Sequence, residues 1–456
     1  MTDRYDAVVI GAGLTGLATA FVLKQKGLSV LVVEKSGRTG GAIRTFERDG
    51  YVYESGPSTA SLSNIETVAL FDMLRGKCEL EIARKDARKR YILKDGTLHR
   101  LPAGLTDGIL TPLFSWTDKF RILAEPFRKA GSNPDESVAA LTVRRLGKSF
   151  LDYAVQPFIG GVYAGDPEKL VTRFALPKLY GLEQEHGSFI RGAVARMMAG
   201  GSAEKRVTKD VFSVRGGFGK LIEALTAGVG RENILPGQQR CKVRRGAASG
   251  CVVELSDAGS VGADRVICTT GGHAAGDIFD SLMPASLRDS LDGLRYAAII
   301  QAAVGVKSPP SADMEAFGAL IPAVEKRRLL GILYPSSCFE GRAPLGKTLL
   351  SVFLGGINHP EIYGQSDTAI RRLILDELGA IHRLTEADID FMEIFRHRHA
   401  IPQYEITCRK LLTDIAQFER ANPGIILAGN IRDGVGIPHR IKQAFDTGAK
   451  LPAGRR

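Results

Sequence analysis

The apolar positions change rhythm along the chain, and each rhythm predicts an element. Tyr5-Asp6-Ala7-Val8-Val9-Ile10 is an apolar, β-branched run, as expected of a parallel strand buried on both faces. From Leu17 to Lys26 apolar Ala and Leu recur at helical spacing until Gly27 stops the helix, and Ser29–Val33 predicts a second strand ending on Glu34. Asn64–Leu74 has helical periodicity with Ser63 or Asn64 as its cap, and Arg88–Leu98 reads as a β-hairpin turning at Asp95-Gly96. From Pro102 to about Arg206 helical stretches dominate (Thr117–Phe127, Ser137–Arg145, Ser149–Val155, Phe189–Met198), broken by Pro and Gly. That block reads as a helical insertion between pieces of a nucleotide domain.

Beyond it, Phe212–Gly219 opens a helix at Lys220–Ala227, and strands are predicted at Cys241–Arg245, Cys251–Leu255 and Arg265–Thr269. Short apolar runs from about Ile299 to Phe353 predict a second, mostly β sheet, and Asp367–Leu378 is amphipathic. A last strand, Ile425–Ala428, and a helix, Ile441–Lys450, close the chain.

Composition narrows the class. At 456 residues, 44% hydrophobic and 24% charged, the chain is long enough for two or three lobes of an ordinary globular protein. The formal charge of +11 can attract nucleic acid, an anionic membrane or a polyanionic substrate. Its Lys and Arg are dispersed without interleaved aromatics, which argues against nucleic acid. Seven basic residues between Lys119 and Lys148, set among apolar ones, suit either anionic lipid or a solvated helix face. The six cysteines (Cys78, Cys241, Cys251, Cys268, Cys338, Cys408) include no CxxC pair and read as free thiols of a reducing cytosol. The chain opens on polar residues and a strand, so no secretory signal is expected; Ala7–Leu23 is uncharged but shorter than a membrane span. The expected location is cytoplasmic, with peripheral attachment to the inner face of the cell membrane left open.

The chemistry begins where the first strand ends. Gly11-Ala12-Gly13-Leu14-Thr15-Gly16 joins strand to helix, and Glu34 follows at the tip of the next strand, the order a dinucleotide site requires. Gly11 makes the tight turn, Gly13 leaves room for the pyrophosphate, and Gly16 lets the helix lie close on the sheet. The helix N-terminus supplies free N–H groups, and Glu34 accepts from a ribose. A bare glycine turn without ligand is the alternative. A second glycine pair, Gly40-Gly41, followed by Arg44, is not needed by a nicotinamide site. It resembles the extension in FAD-containing oxidases of the amine oxidase superfamily, as does Glu54-Ser55-Gly56-Pro57-Ser58, and FAD therefore leads NAD.

Several stretches together resemble one family, the oxygen-dependent, FAD-containing protoporphyrinogen/coproporphyrinogen oxidases. They are Gln156–Leu170, Tyr180–Glu183 with Gly187, Ser188 and Ile190, Gly318–Pro322, Leu330–Ser337, Gly341–Pro344, Ala400–Tyr404 and Leu427–Ile437. Two places depart from it. Family members often carry a tryptophan shortly before Ala-Ile-Pro-Gln-Tyr, where His397 or His399 stands here, and a proline where this chain has Gly271-Gly272.

The resemblance implies an α/β fold: a Rossmann-type FAD-binding domain (residues 1–75, 212–285 and 395–456), a second α+β substrate domain with a mostly antiparallel sheet (76–101 and 286–394), and a helical insertion (102–211) that faces a membrane or solvent. It implies FAD contacts at Gly11, Gly13, Gly16, Glu34, Gly41, Arg44 and Gly56, adenine contact through the Val243 backbone, and Asp433, Val435 and Ile437 at the ribityl and ring end. Arg90 aligns with the family's substrate-carboxylate arginine; from the residues alone it is an exposed hairpin arginine. The implied activity removes six electrons from a porphyrinogen with O2 as acceptor and hydrogen peroxide as product. Protoporphyrinogen IX and coproporphyrinogen III both remain open as substrate, as do peripheral membrane contact and a homodimer. An amine- or polyene-oxidising relative and a non-catalytic flavin or tetrapyrrole carrier are the rivals; Ile425–Ile437 lacks the aromatic pair of amine oxidases. No Ser/His/Asp set or metal cluster is visible, and His397 with His399, on one strand face, would be at most a metal half-site.

Overall fold

The computed structural model describes residues 3–102, 104–198, 206–246, 250–257 and 259–452; residues 199–205 of the expected insertion and 453–456 lie outside them. The first sheet is built on the buried runs. Its order is Ile234–Leu235, Val30–Val33, Arg4–Ile10, Ser260–Cys268, Cys251–Leu255, Cys241–Arg245, with Ile425–Leu427 pairing along the last residues of Ser260–Cys268. Pairing is parallel from Ile234 through Ser260–Cys268 and to Ile425–Leu427, and antiparallel for the two outer strands.

Alternation within the first strand explains why it reads as continuously apolar. Ala7 and Val9 enter one core with Val30, Val32 and the helix Leu14–Gln25, while Val8 and Ile10 enter the opposite core with Phe279, Leu287, Ile415 and Phe418. Leu14–Gln25 is itself buried from Leu14 to Leu23. Two helices close on it through glycines: a β-carbon on Gly228 would lie 2.6 Å from the Phe21 ring, and one on Gly448 would lie 2.5 Å from Val22 Cγ1. These belong to helices Gly219–Val229 and Ile437–Lys450.

The second sheet has the order Ile389–Pro402, Tyr296–Val306, Thr348–Gly355, Leu329–Leu333, Gly318–Leu320, Arg90–Lys94, Thr97–Arg100. It is antiparallel except where Arg90–Lys94 runs parallel to Gly318–Leu320. The hairpin turns at Asp95 (φ 51°) and Gly96 (φ 73°), the left-handed pair favoured in a two-residue turn. Ile300, Ala302, Val304, Leu350, Val352 and Leu354 face helix Asp367–His382 through Ile370, Ile374 and Leu378. The other face turns to the first sheet: Gln301, paired with Phe353 and Phe395, reaches the Glu54 carbonyl at 3.0 Å.

Two strands cross the boundaries read from the sequence. Ile389–Pro402 stays paired in the second sheet beyond residue 394, because its register with Tyr296–Val306 runs on to Pro402. Leu80–Ile82, expected with the second sheet, pairs with Val211–Val214 and, through it, with Ala60–Ser61.

Between them the helices of 105–198 are tied by buried charge. Arg145 and Glu125, both fully buried, lie 3.0 Å apart, and Arg144 reaches Glu183 at 2.8 Å. Glu125 also accepts from the Ser188 hydroxyl and from the Phe189 and Ile190 amides, which places a carboxylate on the N-terminus of Phe189–Met198. The helix expected to stop at Val155 continues through Gln156–Tyr163. A wide π-type turn at Leu151–Val155 sits just ahead of Pro157, where a helix must accommodate a residue without an N–H.

Candidate functional site

The ends of the parallel strands make a cradle of main chain. Gly11 turns with φ 103°, and a β-carbon there would lie 2.9 Å from Thr269 Oγ1. That hydroxyl donates to the Ile10 or Gly11 carbonyl, at 3.0 and 3.1 Å, so the tips of two neighbouring strands are pinned together. A β-carbon on Gly16 would lie 1.8 Å from the Gly11 carbonyl oxygen. Gly40 donates to Ala12 O at 2.8 Å, and a β-carbon on Gly41 would lie 3.2 Å from Gly13 Cα. The two glycine loops therefore touch backbone to backbone. Helix Leu14–Gln25 opens at Gly13 with no side-chain cap, which leaves its first-turn N–H groups to an anion.

Glu34 is locked onto this loop. One carboxylate oxygen accepts from Ala12 N at 2.7 Å, the other from Ser36 N and Ser36 Oγ, each at 2.8 Å. A carboxylate offers about four acceptor positions, so roughly one remains for a ribose hydroxyl. Beside it Arg38 donates to the Gly41 carbonyl at 2.7 Å. Burial and Arg44 hold the Arg38 guanidinium below its ordinary value, against Glu34. Gly237 and Gln238 donate to the Ser36 and Glu34 carbonyls, both at 2.9 Å, and the chain then runs on to Val243. With its side chain fully buried, Val243 has only main chain to offer a ligand.

Gly56 closes on the second glycine loop: a β-carbon there would lie 2.2 Å from the Ala42 carbonyl. Arg44 anchors this stretch through its own carbonyl, which accepts from Ser55 N at 3.0 Å, while its exposed guanidinium stacks 4.3 Å above Phe46. Glu54 is buried and accepts from Phe218 N at 2.7 Å and Thr45 Oγ1 at 2.8 Å, with Arg342 at 3.9 Å. Burial raises the Glu54 carboxyl above its usual range, and these donors oppose the shift. His397 donates to the Ser55 carbonyl, and the buried Ser58 Oγ, two residues past Gly56, has no hydrogen-bond partner among the described residues.

Asp433, Val435 and Ile437 lie on the loop from the last parallel strand to helix Ile437–Lys450. Asp433 takes φ 64° and accepts from Gln443 Nε2 at 2.7 Å; Gln443 Oε1 accepts from Gly429 N at 2.8 Å and from the buried Arg440 at 2.9 Å. Helix Ile437–Lys450 also opens without a side-chain cap, at Gly436.

The structure thus gathers Gly11, Gly13, Gly16, Glu34 and Gly41 by direct contact, and Gly56 joins them through Ala42. Asp433, Val435 and Ile437 follow the tip of Ile425–Leu427 at that edge of the sheet, whereas Val243 pairs with Val253, itself opposite Val261 near the start of Ser260–Cys268. Arg90 stands apart on the second sheet, opposite Gly318, with its guanidinium 5.2 Å above the Phe317 ring. That guanidinium has no hydrogen bond or ion pair among the described residues, so its charge is available to an anion. Thr269 and Arg38 were not singled out from the sequence. The two histidines read as at most a metal half-site diverge: His397 bonds Ser55, and His399 stacks on His273.

The residues present fit a dinucleotide, by the Gly16 position, where a β-carbon would meet the Gly11 carbonyl, and by the two uncapped helix starts. Comparison with known proteins points to a flavin. Residues 14–438 match the family described as flavin containing amine oxidoreductase. Protoporphyrinogen oxidase 2, chloroplastic/mitochondrial, of Arabidopsis thaliana is 28% identical over 462 residues, covering 94% of this chain and 90% of its own. Coproporphyrinogen III oxidase of Bacillus subtilis (strain 168) is 27% identical over 466 residues and covers 97% of both chains. The crystal structure of a protoporphyrinogen oxidase candidate from Exiguobacterium sp. 255-15 superposes with a TM-score of 0.81 at 22% identity, over 98% of each chain, which concerns the fold. This chain belongs to the flavin containing amine oxidoreductases.

Proposed function

We propose that the protein is an FAD-dependent oxidase that converts protoporphyrinogen IX to protoporphyrin IX in tetrapyrrole synthesis. Three molecules of O2 would be reduced to three of hydrogen peroxide for the six electrons and six protons removed. The observation that carries this reading is the near full-length similarity to protoporphyrinogen oxidases, joined to a dinucleotide cradle beside a second sheet. Bound FAD would supply the hydride-accepting chemistry. Gly11, Gly13, Gly16 and Gly41 would cradle its diphosphate, Glu34 its ribose, the Val243 main chain its adenine, and the Asp433–Ile437 loop its ring end.

The chain's own residues would bind and orient the substrate. Phe353 lies on the second-sheet face turned to the first sheet, and it packs with Leu330 around Ile299 as an apolar wall suited to a tetrapyrrole. Arg90, unpaired, would take a propionate with its planar fork. The similarity to coproporphyrinogen III oxidase keeps coproporphyrinogen III as the second reading.

Anaerobic mixing of the purified protein with each porphyrinogen tests the proposal. Rapid bleaching of the flavin band by protoporphyrinogen is expected; binding without bleaching would mean a carrier, and faster bleaching by coproporphyrinogen would favour the second reading. Arg90→Ala should raise KM for the tetracarboxylate more than for the dicarboxylate, and unchanged KM for both would remove Arg90 from the site.

The same proposal includes peripheral contact with an anionic membrane. No helix among the described residues is long and apolar enough to cross one. Instead the insertion exposes Trp116 (62%), Leu123 (66%) and Phe127 (85%), beside Val194, Met197 and Met198 on helix Phe189–Met198. Lys129, Arg191 and Arg196 are exposed among them.

A further inference from the structure

Over Gly11 the carboxyl edge of the first sheet forms a crevice with two banks. One is the tip of Val30–Val33, continued by Glu34 and Lys35. The other is the tip of Ser260–Cys268, which runs through Thr269-Thr270-Gly271 into a short helix, Gly272–Ile278. Thr270 belongs to the crevice floor: its methyl would lie 3.4 Å from a β-carbon on Gly11.

His273 lies in the first turn of that short helix, and its ring folds back over Gly271, where a β-carbon would lie 2.6 Å from the imidazole. His399 meets it from the second sheet. The two rings stack with centroids 4.1 Å apart and planes 20° from parallel. Tyr296 touches both edge-on, at 5.8 and 5.5 Å, and its hydroxyl accepts from the Gly272 amide at 2.9 Å. Neither imidazole has a hydrogen-bond partner among the described residues. Burial, His399 and Lys35, in that order, hold His273 below the ordinary histidine value; Lys35 thus acts on it from the opposite bank.

We propose that His273 and His399 clamp the adenosine-diphosphate half of the bound dinucleotide, each donating an N–H to its phosphate or ribose oxygens. The inference rests on the FAD reading above. Every neutral imidazole carries one N–H donor, and a diphosphate offers acceptors only. Glu34 and the glycine loops serve one bank of the crevice, and this pair brings side-chain donors to the other. Gly271 makes room for the pair: a β-carbon there would lie 2.6 Å from the His273 ring, which stacks on His399. The clamp therefore ties the second sheet directly to the cofactor.

Release of FAD from the holoprotein into high salt, followed by flavin fluorescence, tests this, with ADP as a probe that carries only the adenosine-diphosphate half. His273→Ala and His399→Ala should each release FAD about tenfold faster than the parent, and ADP should compete for rebinding about tenfold less well. His273→Gln and His399→Gln, which keep an N–H donor, should recover most of the difference, with the flavin absorption band unmoved. Release within about twofold of the parent, or faster release that glutamine does not rescue and that tracks a lower Tm, would overturn the clamp. A parent protein that holds no FAD would instead overturn the functional reading.

Discussion

Gly16 is defined by what it lacks. A β-carbon there would fall 1.8 Å from the Gly11 carbonyl, which is main chain and pinned by Thr269, so neither partner can yield. Gly16→Ala must lift helix Leu14–Gln25 off the strand tip, an overpacking error worth about 1–3 kcal/mol, and with it the free N–H groups that face the cradle. Gly37, in the same segment, has nothing within 4 Å of its would-be β-carbon. Gly37→Ala should keep the parent's flavin-to-protein ratio and Tm, while Gly16→Ala should lose flavin and melt lower; equal flavin content in both would refute the argument. The glycines were legible because their spacing is a local pattern. Thr269 was not, since its partners Ile10 and Gly11 are 259 and 258 residues away and only the parallel register brings them together. Arg38 escaped for a similar reason: what marks it is a bond to Gly41, not its place in a motif.

At the scale of elements, helix Asp367–His382 docks on the second sheet and ends on a titratable group. His382 Nε2 meets the Tyr334 hydroxyl at 3.0 Å, and burial pushes its pKa down to about 4 despite Asp313. The sign follows from which state holds the proton. Unfolded histidine titrates near about 6.5, so below that pH the unfolded chain binds a proton the folded one refuses, and stability falls. At pH 5 the difference amounts to about 2 kcal/mol. Tm should drop between pH 7 and pH 5, and His382→Gln, which still accepts from Tyr334, should flatten the profile; parallel profiles would show that His382 does not set it. This helix was read from its apolar stripe as Asp367–Leu378, one turn short, because His382 is joined through Tyr334 rather than through the stripe. Pro157 was read as a break, since proline's effect depends on the turn before it. Strand Ile389–Pro402 was read only around His397 and His399, for a different reason: its residues are mostly half-buried on both faces, so no alternation marks its length in the sequence.

For the whole molecule the question is where a net charge of +11 is spent. Much of the basic charge is paired along the surface, but on the insertion it borders bare apolar side chains. Glu125 sets this arrangement up. By accepting from the Phe189 and Ile190 amides it holds the start of helix Phe189–Met198 against the segment that ends at Phe127. Helices Trp116–Leu123 and Phe189–Met198 thereby both meet the segment Glu125–Phe127, and Arg145 ties Glu125 to Glu183 beneath it. Fully burying an aromatic side chain contributes about 1.5–3 kcal/mol, and each basic residue near an anionic surface adds about 1 kcal/mol. Partial immersion of Trp116, Phe120 and Phe127 with three or four cations is then enough for binding at micromolar lipid patches, without any spanning helix. The holoprotein should float with vesicles containing phosphatidylglycerol, release from them as salt rises, and stay behind with purely phosphatidylcholine vesicles. Trp116→Ser, Phe120→Ser and Phe127→Ser combined should weaken flotation at least about tenfold while flavin content and Tm hold, because these side chains are exposed and carry no core contact. Flotation of the triple variant equal to the parent's would mean that these side chains do not touch lipid, and that the basic residues around them are only a solvated face.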